Sequence, residues 1–557
     1  MRCHTTLPPF ITEHHCPARA ATASALFAPG TIACIVNSVN SVNVVNAPVE
    51  VRASDLVGCR FRLRQRAAHP DVPPLPAALE RQPQIDAARA VVFDLLPVRR
   101  AVGDGRRRAF IRRDLDPAFG TDEETVRALA DGAHLITNAT LRGTIDGCQV
   151  VAEIDVLVRV DGLDGTRAGS RASSGMGDAV GTGARYLPVV ISNHRVAREH
   201  PQAQIDMVFT NRLGLSSPMT VHAKPRHHTI DGYRLAIAEL LLREKGVATG
   251  RGGLIGQDRA RAYVGDITRF IPPMRNALAA PVPTQPKRLK QCASCRFWPL
   301  CGPRLEQMDD ISLVLPGGSG DVWRERGYTT VQSLIDADVG EPSAIARASR
   351  AGIPVLRRPG PITMPRADVE VDVDMEAYLD QGAYLWGAFD GATYHPFVTW
   401  SEVGADAEEA NFAAFWSWLM ATRARAQAAD KTFKAYCYAA GGENHWLKAS
   451  ARRFASIDAA EVQAFIASDQ WVDVFAYARR HLVGTDGLGL KVLGPVVGFE
   501  WEDDDVDGER SIALRRAARF GDARARAMLL RYNEDDCRAT RAVRDFLTAG
   551  APGLPVL

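Results

Sequence analysis

The chain is 557 residues long, which at roughly 150 residues per domain implies three to four units and excludes a single small module. Apolar residues make up 46% and charged residues 24%, ordinary shares for a globular chain, so global disorder and a collagen-like make-up are excluded. Its 67 basic and 65 acidic residues leave a net charge of +2, so any nucleic-acid-binding surface must be local. Eight of those basic residues are lysines, the first being Lys224. No apolar run reaches the roughly 18 residues of a membrane span, and no membrane partner is expected.

Residues 1–46 mix Cys, His, Pro and Ala without period, and from Val36 they run into a Val-Asn-Ser repeat. They read as a disordered leader; Pro29 and Gly30 interrupt what a secretory signal would need as its apolar core. Translation is expected to start near Val44 or Val45. Order is expected from Val51. Ser54 can cap a short helix ending near Cys59, 87–96 has helical apolar spacing, and 124–140 predicts a helix. A strand over 149–160 follows, with Ile154, Val156 and Val158 in alternation. Residues 161–185 form a Gly/Ser-rich insertion whose Gly175-Met176-Gly177 lacks the strand and helix that frame a phosphate loop. After the apolar strand 186–191 comes an amphipathic helix over 231–243. A Cys-rich segment then leads to two short helices ending near Gly352 and a Pro-rich linker, 358–365. The expected units are the leader 1–46, a first domain 47–305, a helical connector 306–365 and a final α/β domain 366–557.

Cys292-x2-Cys295-x5-Cys301 lies among Lys, Arg and aromatic residues, and Cys59 stands alone near the start of the ordered chain. Four thiolates are the complement of an iron–sulfur cluster or a structural zinc. This three-plus-one spacing resembles the iron–sulfur RecB-family nucleases, where one early Cys and a late C-x2-C-x5-C staple the two ends of the nuclease domain. The resemblance implies a 4Fe-4S cluster on Cys59, Cys292, Cys295 and Cys301, with zinc or no metal as alternatives. Cys3, Cys16, Cys34, Cys148, Cys437 and Cys537 lack such spacing and read as reduced thiols.

The order 132–136, 153–158 and 186–191 is similar to the RecB-type, PD-(D/E)xK, nuclease core, in which an Asp ends one strand and D/E-x-K lies on the next. Asp155 fits the first acid. The second strand continues Val190-Ile191-Ser192-Asn193-His194, with neither acid nor Lys, and Arg234 stands where the following helix usually has Gln. The site therefore reads as degenerate, with a migrated Lys224 as the alternative. Such a domain would serve as a nucleic-acid-binding scaffold. Arg99, Arg100, Arg106, Arg107, Arg108, Arg112 and Arg113 read equally as a phosphate-tracking patch or a solvated loop. Leu315-Pro316-Gly317-Gly318 and Gly327-Tyr328-Thr329 resemble helix–hairpin–helix turns, a plain helical connector being the other reading.

Residues 369–376, Val-Glu-Val-Asp-Val-Asp-Met-Glu, alternate with period two, which puts Glu370, Asp372, Asp374 and Glu376 on one face of a strand. Like charges so placed repel, so something cationic is expected to compensate part of the row. In 531–540 the helical period places Tyr532 and Asp536 one turn apart, on a stripe with Ala539 and Val543, while Glu534 and Asp535 point to solvent.

A strand with D-x-E and a late helix with Y-x3-D resemble the DEDD exonuclease branch of the RNase H-like fold, in particular the YprB-type domain. The resemblance implies Mg²⁺ or Mn²⁺ held by Asp374, Glu376, Glu443 and Asp536. Tyr532 would orient the attacking water, and the reaction would be 3′-to-5′ exonucleolytic. Glu443 replaces the family's usual Asp; Asp473 is the backup ligand, a helix cap being its other reading, and Asp155 and Asp372 are weaker candidates. Gly489-Leu490-Lys491 resembles the family's S-L-K turn, and Glu502 to Asp505 read as a solvated loop. The expected whole is a cytoplasmic, metal-dependent nuclease acting on nucleic acid, DNA ahead of RNA. The competing reading is a catalytically decayed nucleic-acid-binding accessory, such as the partner of a helicase in DNA repair.

Overall fold

The computed structural model describes residues 49–98, 110–160, 183–379, 381–503, 506 and 508–557. The expected leader and start site, the arginines from Arg99 to Arg108 and the Gly175-Met176-Gly177 insertion lie outside them. No helix among the described residues is long and apolar enough to cross a membrane. Contacts divide the chain into two units, one of residues up to Ala68 with Asp86–Val282, the other of His69–Ile85 with Pro283–Leu557.

The first unit carries an eight-stranded sheet. Its strands are β1 (Arg112–Asp114), β2 (Leu135–Ile145), β3 (Cys148–Arg159), β4 (Tyr186–Ile191), β5 (Ala197–Phe209), β6 (Met219–Pro225), β7 (Arg251–Ile255) and β8 (Arg261–Asp266). They lie in the order β1-β2-β3-β4-β7-β8-β5-β6. β2, β3 and β4 form an antiparallel meander, and β7 pairs parallel to β4. The intervening helix Thr229–Glu244 is buried along Leu235–Leu242, too apolar to be a surface amphipath, and it packs into the core with Ile136, Leu141 and Ile154.

The helix expected over 124–140 is instead a helix, Asp122–Ala130, followed by β2. A capping box starts it: Thr121 Oγ1 accepts from Glu124 N at 3.2 Å, and the Glu124 carboxylate accepts from Thr121 N at 2.8 Å. Gly132, at φ +66°, ends it, and the apolar run that follows is extended and buried.

In the second unit, Ile311, Val314, Val331, Leu334 and Ala346 make a small helical core. β9 (Val355–Arg357) pairs antiparallel with β15 (Leu482–Gly484). The Pro-rich segment 358–365 is packed rather than a free linker. Ile362 and Met364 join Tyr436 and Val472 in one cluster, and the Tyr436 hydroxyl donates to the Pro365 carbonyl at 2.9 Å.

The main sheet of this unit has β10 (Val369–Tyr378) at its centre. β11 (Gly382–Phe389) and β12 (Tyr394–Val398) run antiparallel on one side, and β13 (Phe433–Cys437) and β14 (Trp471–Asp473) run parallel on the other. The alternation of β10 sorts its two faces. Val371, Val373 and Met375 pack with Phe412, Phe415 and Leu419 of the helix Asp406–Ala428. Glu370, Asp372 and Asp374 meet residues of the helix Ala523–Thr548.

Candidate metal centre

The acidic row of β10 is divided by what the helix Ala523–Thr548 sets opposite it. Arg544, fully buried, lies 3.2 Å through Nη1 from Asp372 Oδ1 and 3.3 Å through Nη2 from Glu370 Oε2, with its guanidinium 4.0 Å from the Tyr436 ring centre. Arg366 adds two bonds of 2.7 Å to the Glu370 carboxylate. Burial opposes ionisation of Glu370, yet Arg366 and Arg544 outweigh it and hold its pKa below the ordinary value. Asp372 is pushed up to about 7 by burial, with Arg544 pulling the other way. These two acids are therefore committed to an ion-pair cluster.

The remaining two meet a third acid. Asp374, Glu376 and Asp536 each offer an oxygen, all within 4.8 Å of one another, and this is the sole such group of His, Cys, Asp or Glu among the described residues. Burial, followed by the charges of Asp536, Glu376 and Glu443, raises the Asp374 pKa well above its usual value. Glu376 is pushed up to about 8 by burial and then Asp536, while a hydrogen bond with Ser511 opposes the rise. Asp536 is pushed up to about 6 by burial against the pull of Trp501, Lys491 and Tyr532. Three crowded carboxylates that resist ionising together are a fit for a divalent cation, which would relieve their repulsion.

The surroundings hold these groups in place. Trp501 Nε1 donates to Asp536 Oδ1 at 2.8 Å, and the Tyr532 hydroxyl hydrogen-bonds the same carboxylate one helical turn on. The Lys491 ammonium lies 4.0 Å from the Trp501 ring centre and 5.1 Å from that of Tyr532. Asn533 Nδ2 donates to Asp374 Oδ2 at 2.6 Å.

Glu443 occupies the first turn of the helix Gly441–Arg453, buried, with Oε2 lacking a hydrogen-bond partner. Burial first, then Asp473 and Asp536, push its pKa up to about 7. It thus lies in the field of the three acids but outside their 4.8 Å group. Asp473 caps the helix Val474–His481, accepting from Phe475 N, and also accepts from Ala439 N, each at 3.0 Å. Ala439 has φ +61°, a left-handed turn that carries the chain from β13 to Glu443 and that this second bond pins.

Asp535, expected in solvent, is buried and accepts from Glu502 N at 2.9 Å. Glu534 pairs with Arg538 at 2.6 Å. Arg531 pairs with Asp503 at 3.0 Å, so this part of the acidic run is ion-paired; its last two residues lie outside the described set.

In the first unit, Asp155 is buried and saturated: Arg89 Nε lies at 2.9 Å, Arg234 Nη2 at 3.1 Å, and Ile191 N donates to it at 2.8 Å. Arg234 thus turns the expected metal-ligand position into an ion pair. Lys224 sits on β6, five strands from β3, about 24 Å along the sheet at roughly 4.8 Å per strand, which removes it from Asp155.

A tetrahedral zinc with Zn–S bonds near 2.3 Å holds its sulfurs about 3.8 Å apart. Cys292, Cys295 and Cys301 form no group within 4.8 Å, so they do not fit a zinc site as built, and Cys59 belongs to the other unit. Cys437 and Cys537 are free thiols, both buried.

A family model described as RNase_H superfamily, RNase_H_2, matches residues 372–548. The C-terminal part of the chain is RNase H-like. The matched span of this RNase H-like domain opens at Asp372 and contains Asp374, Glu376, Glu443, Tyr532 and Asp536. No curated protein and no solved structure matches the chain.

Four residues around the centre carried no assignment from sequence: Arg544, Asn533, Trp501 and Ser511. Arg544 had a usable signal, because a row of four acids calls for a cation and Arg544 shares the inward stripe of Asp536 two turns on.

Proposed function

We propose that the RNase H-like domain is a metal-dependent nuclease that hydrolyses phosphodiester bonds of a nucleic acid from its 3′ end. The observation that carries this reading is the convergence of Asp374, Glu376 and Asp536 on one point. These three would hold Mg²⁺ or Mn²⁺, and Glu443, with its unpartnered Oε2, supplies a further carboxylate whose charge acts on Asp374. When bound, the cations supply the positive charge that activates a water and stabilises the leaving oxygen. Tyr532, tethered to Asp536, orients the water. Glu443, with a pKa near 7, can take up a proton at neutral pH. Lys491 adds a positive charge at the Trp501–Tyr532 rim, suited to the phosphate being attacked.

For the first unit, the antiparallel meander, buried helix and parallel strand support a RecB-type fold whose Asp155 site has become an ion-pair cluster, leaving a nucleic-acid-binding body. The cysteine spacing supports a 4Fe-4S cluster ahead of zinc. A second reading, a non-catalytic nucleic-acid-binding accessory, is favoured by Glu443 standing outside the three-acid group. Digestion of 3′- and 5′-labelled single strands with Mn²⁺, by the wild type and Asp374→Asn, separates the two. Loss of 3′-end digestion in the variant supports the nuclease; equal digestion by both removes this active site, and no digestion by either supports the accessory.

A further inference from the structure

Asp374, like Glu376 and Asp536, has its carboxylate held by a side chain outside the three-acid group, and in its case the holding residue is itself held. Asn533 is fully buried on the helix Ala523–Thr548. Its Nδ2 donates to Asp374 Oδ2 at 2.6 Å, and its Oδ1 accepts from the Tyr394 hydroxyl at 2.7 Å. With a cation bound the Asp374 carboxylate would be ionised and only accept, so it would face the NH₂ side, which leaves the carbonyl for the hydroxyl. β11 makes room for this bridge. Gly387 is the cross-strand partner of Asp374, and a Cβ there would run into Asn533 Oδ1 and stand 2.9 Å from Tyr394 Cε2. Its φ is not in the left-handed region, so the backbone does not demand glycine; the clearance does.

Resting on the metal-site reading above, we propose that Asn533, oriented by Tyr394 through the gap at Gly387, is the positioning residue that sets the Asp374 carboxylate for cation binding. The amide ties Oδ2 of Asp374, and so limits the rotation of the carboxylate that would hold the cation. Partners that orient a ligand in this way are typically worth about 10–100-fold in metal affinity.

Calorimetric titration of the full chain with Mn²⁺ tests the proposal. Asn533→Ala is expected to weaken binding by about 10–100-fold. Tyr394→Phe, which removes one hydroxyl, is expected to weaken it roughly threefold in the wild type, the share of a single hydrogen bond, and not at all in Asn533→Ala. That non-additivity is the signature of a relay, which a general loss of packing would not produce. Wild-type affinity in Asn533→Ala, or equal effects of Tyr394→Phe in both backgrounds, overturns the positioning role alone. A wild type that takes up no Mn²⁺ overturns the metal site and this role with it. If Asn533→Ala does not fold, Tyr394→Phe decides: weakened binding sustains the role and unchanged binding overturns it.

Discussion

Arg544 Nη1 lies 3.2 Å from Asp372 Oδ1, and both side chains are shut off from solvent in the middle of the RNase H-like domain. Removing one member of such a pair leaves an uncompensated charge in the interior, which costs about 3–5 kcal/mol. Arg544→Met is expected to lower stability by that order in urea unfolding, whereas Asp372→Asn is expected to keep Mn²⁺ binding intact. Loss of Mn²⁺ binding in Asp372→Asn would place Asp372 among the ligands instead.

The metal-free domain should lose stability as pH rises. Glu376, Glu443 and Asp536 have folded pKa values pushed up to about 8, 7 and 6, all above their ordinary carboxylate values. The folded state therefore holds more protons than the unfolded one, and its contribution is fully present below the ordinary carboxylate values of 4.5 and 3.8 and is lost as pH rises from there through the folded values of about 6 to 8. Thermal unfolding in EDTA is expected at higher temperature at pH 5.5 than at pH 8.5 from this group of residues. Mn²⁺ affinity is expected to rise over the same interval, because the cation competes with protons. The coupling fails if affinity is flat with pH.

Tyr532→Phe keeps the ring under Lys491 and removes only the hydroxyl. Metal affinity is expected to stay within a few-fold of wild type while kcat falls by about 100-fold, the scale of a lost proton-handling group. An equal loss in both quantities would assign the hydroxyl to holding Asp536 rather than to the water.

Iron and acid-labile sulfide, measured on anaerobically purified protein and on Cys295→Ala, decide the thiol set. Both are expected in the wild type and strongly reduced in the variant. Zinc in their place would require the three late cysteines to close up from where they now stand.

The alternation of 369–376 made one acidic face and one apolar face legible, since a period of two leaves a strand little choice. The division of that face was not legible. Which acids meet Arg544 and which meet Asp536 depends on where the late helix crosses β10, a tertiary fact without local signal. The Tyr532–Asp536 pair was readable because a helical turn is fixed geometry; Asn533, between them, is uncharged and gave no reason to expect contact with Asp374. The helix expected over 124–140 failed at Gly132, where an apolar run too short to distinguish helix from strand begins. Asp535 was expected in solvent on the same helical argument, and the Glu502 amide that buries it comes from a loop far away in sequence.

The strand and the helix share a scale, like the two rulers of a vernier. From Glu370–Asp372 to Asp374–Glu376 is four strand residues, about 13 Å, and from Arg544 to Asp536 is eight helical residues, about 12 Å. A slip of one helical turn would therefore break the ion pair and scatter the proposed cation ligands in a single movement. A chain cut just after Ala539 would retain every proposed ligand and lose the peg that sets their alignment.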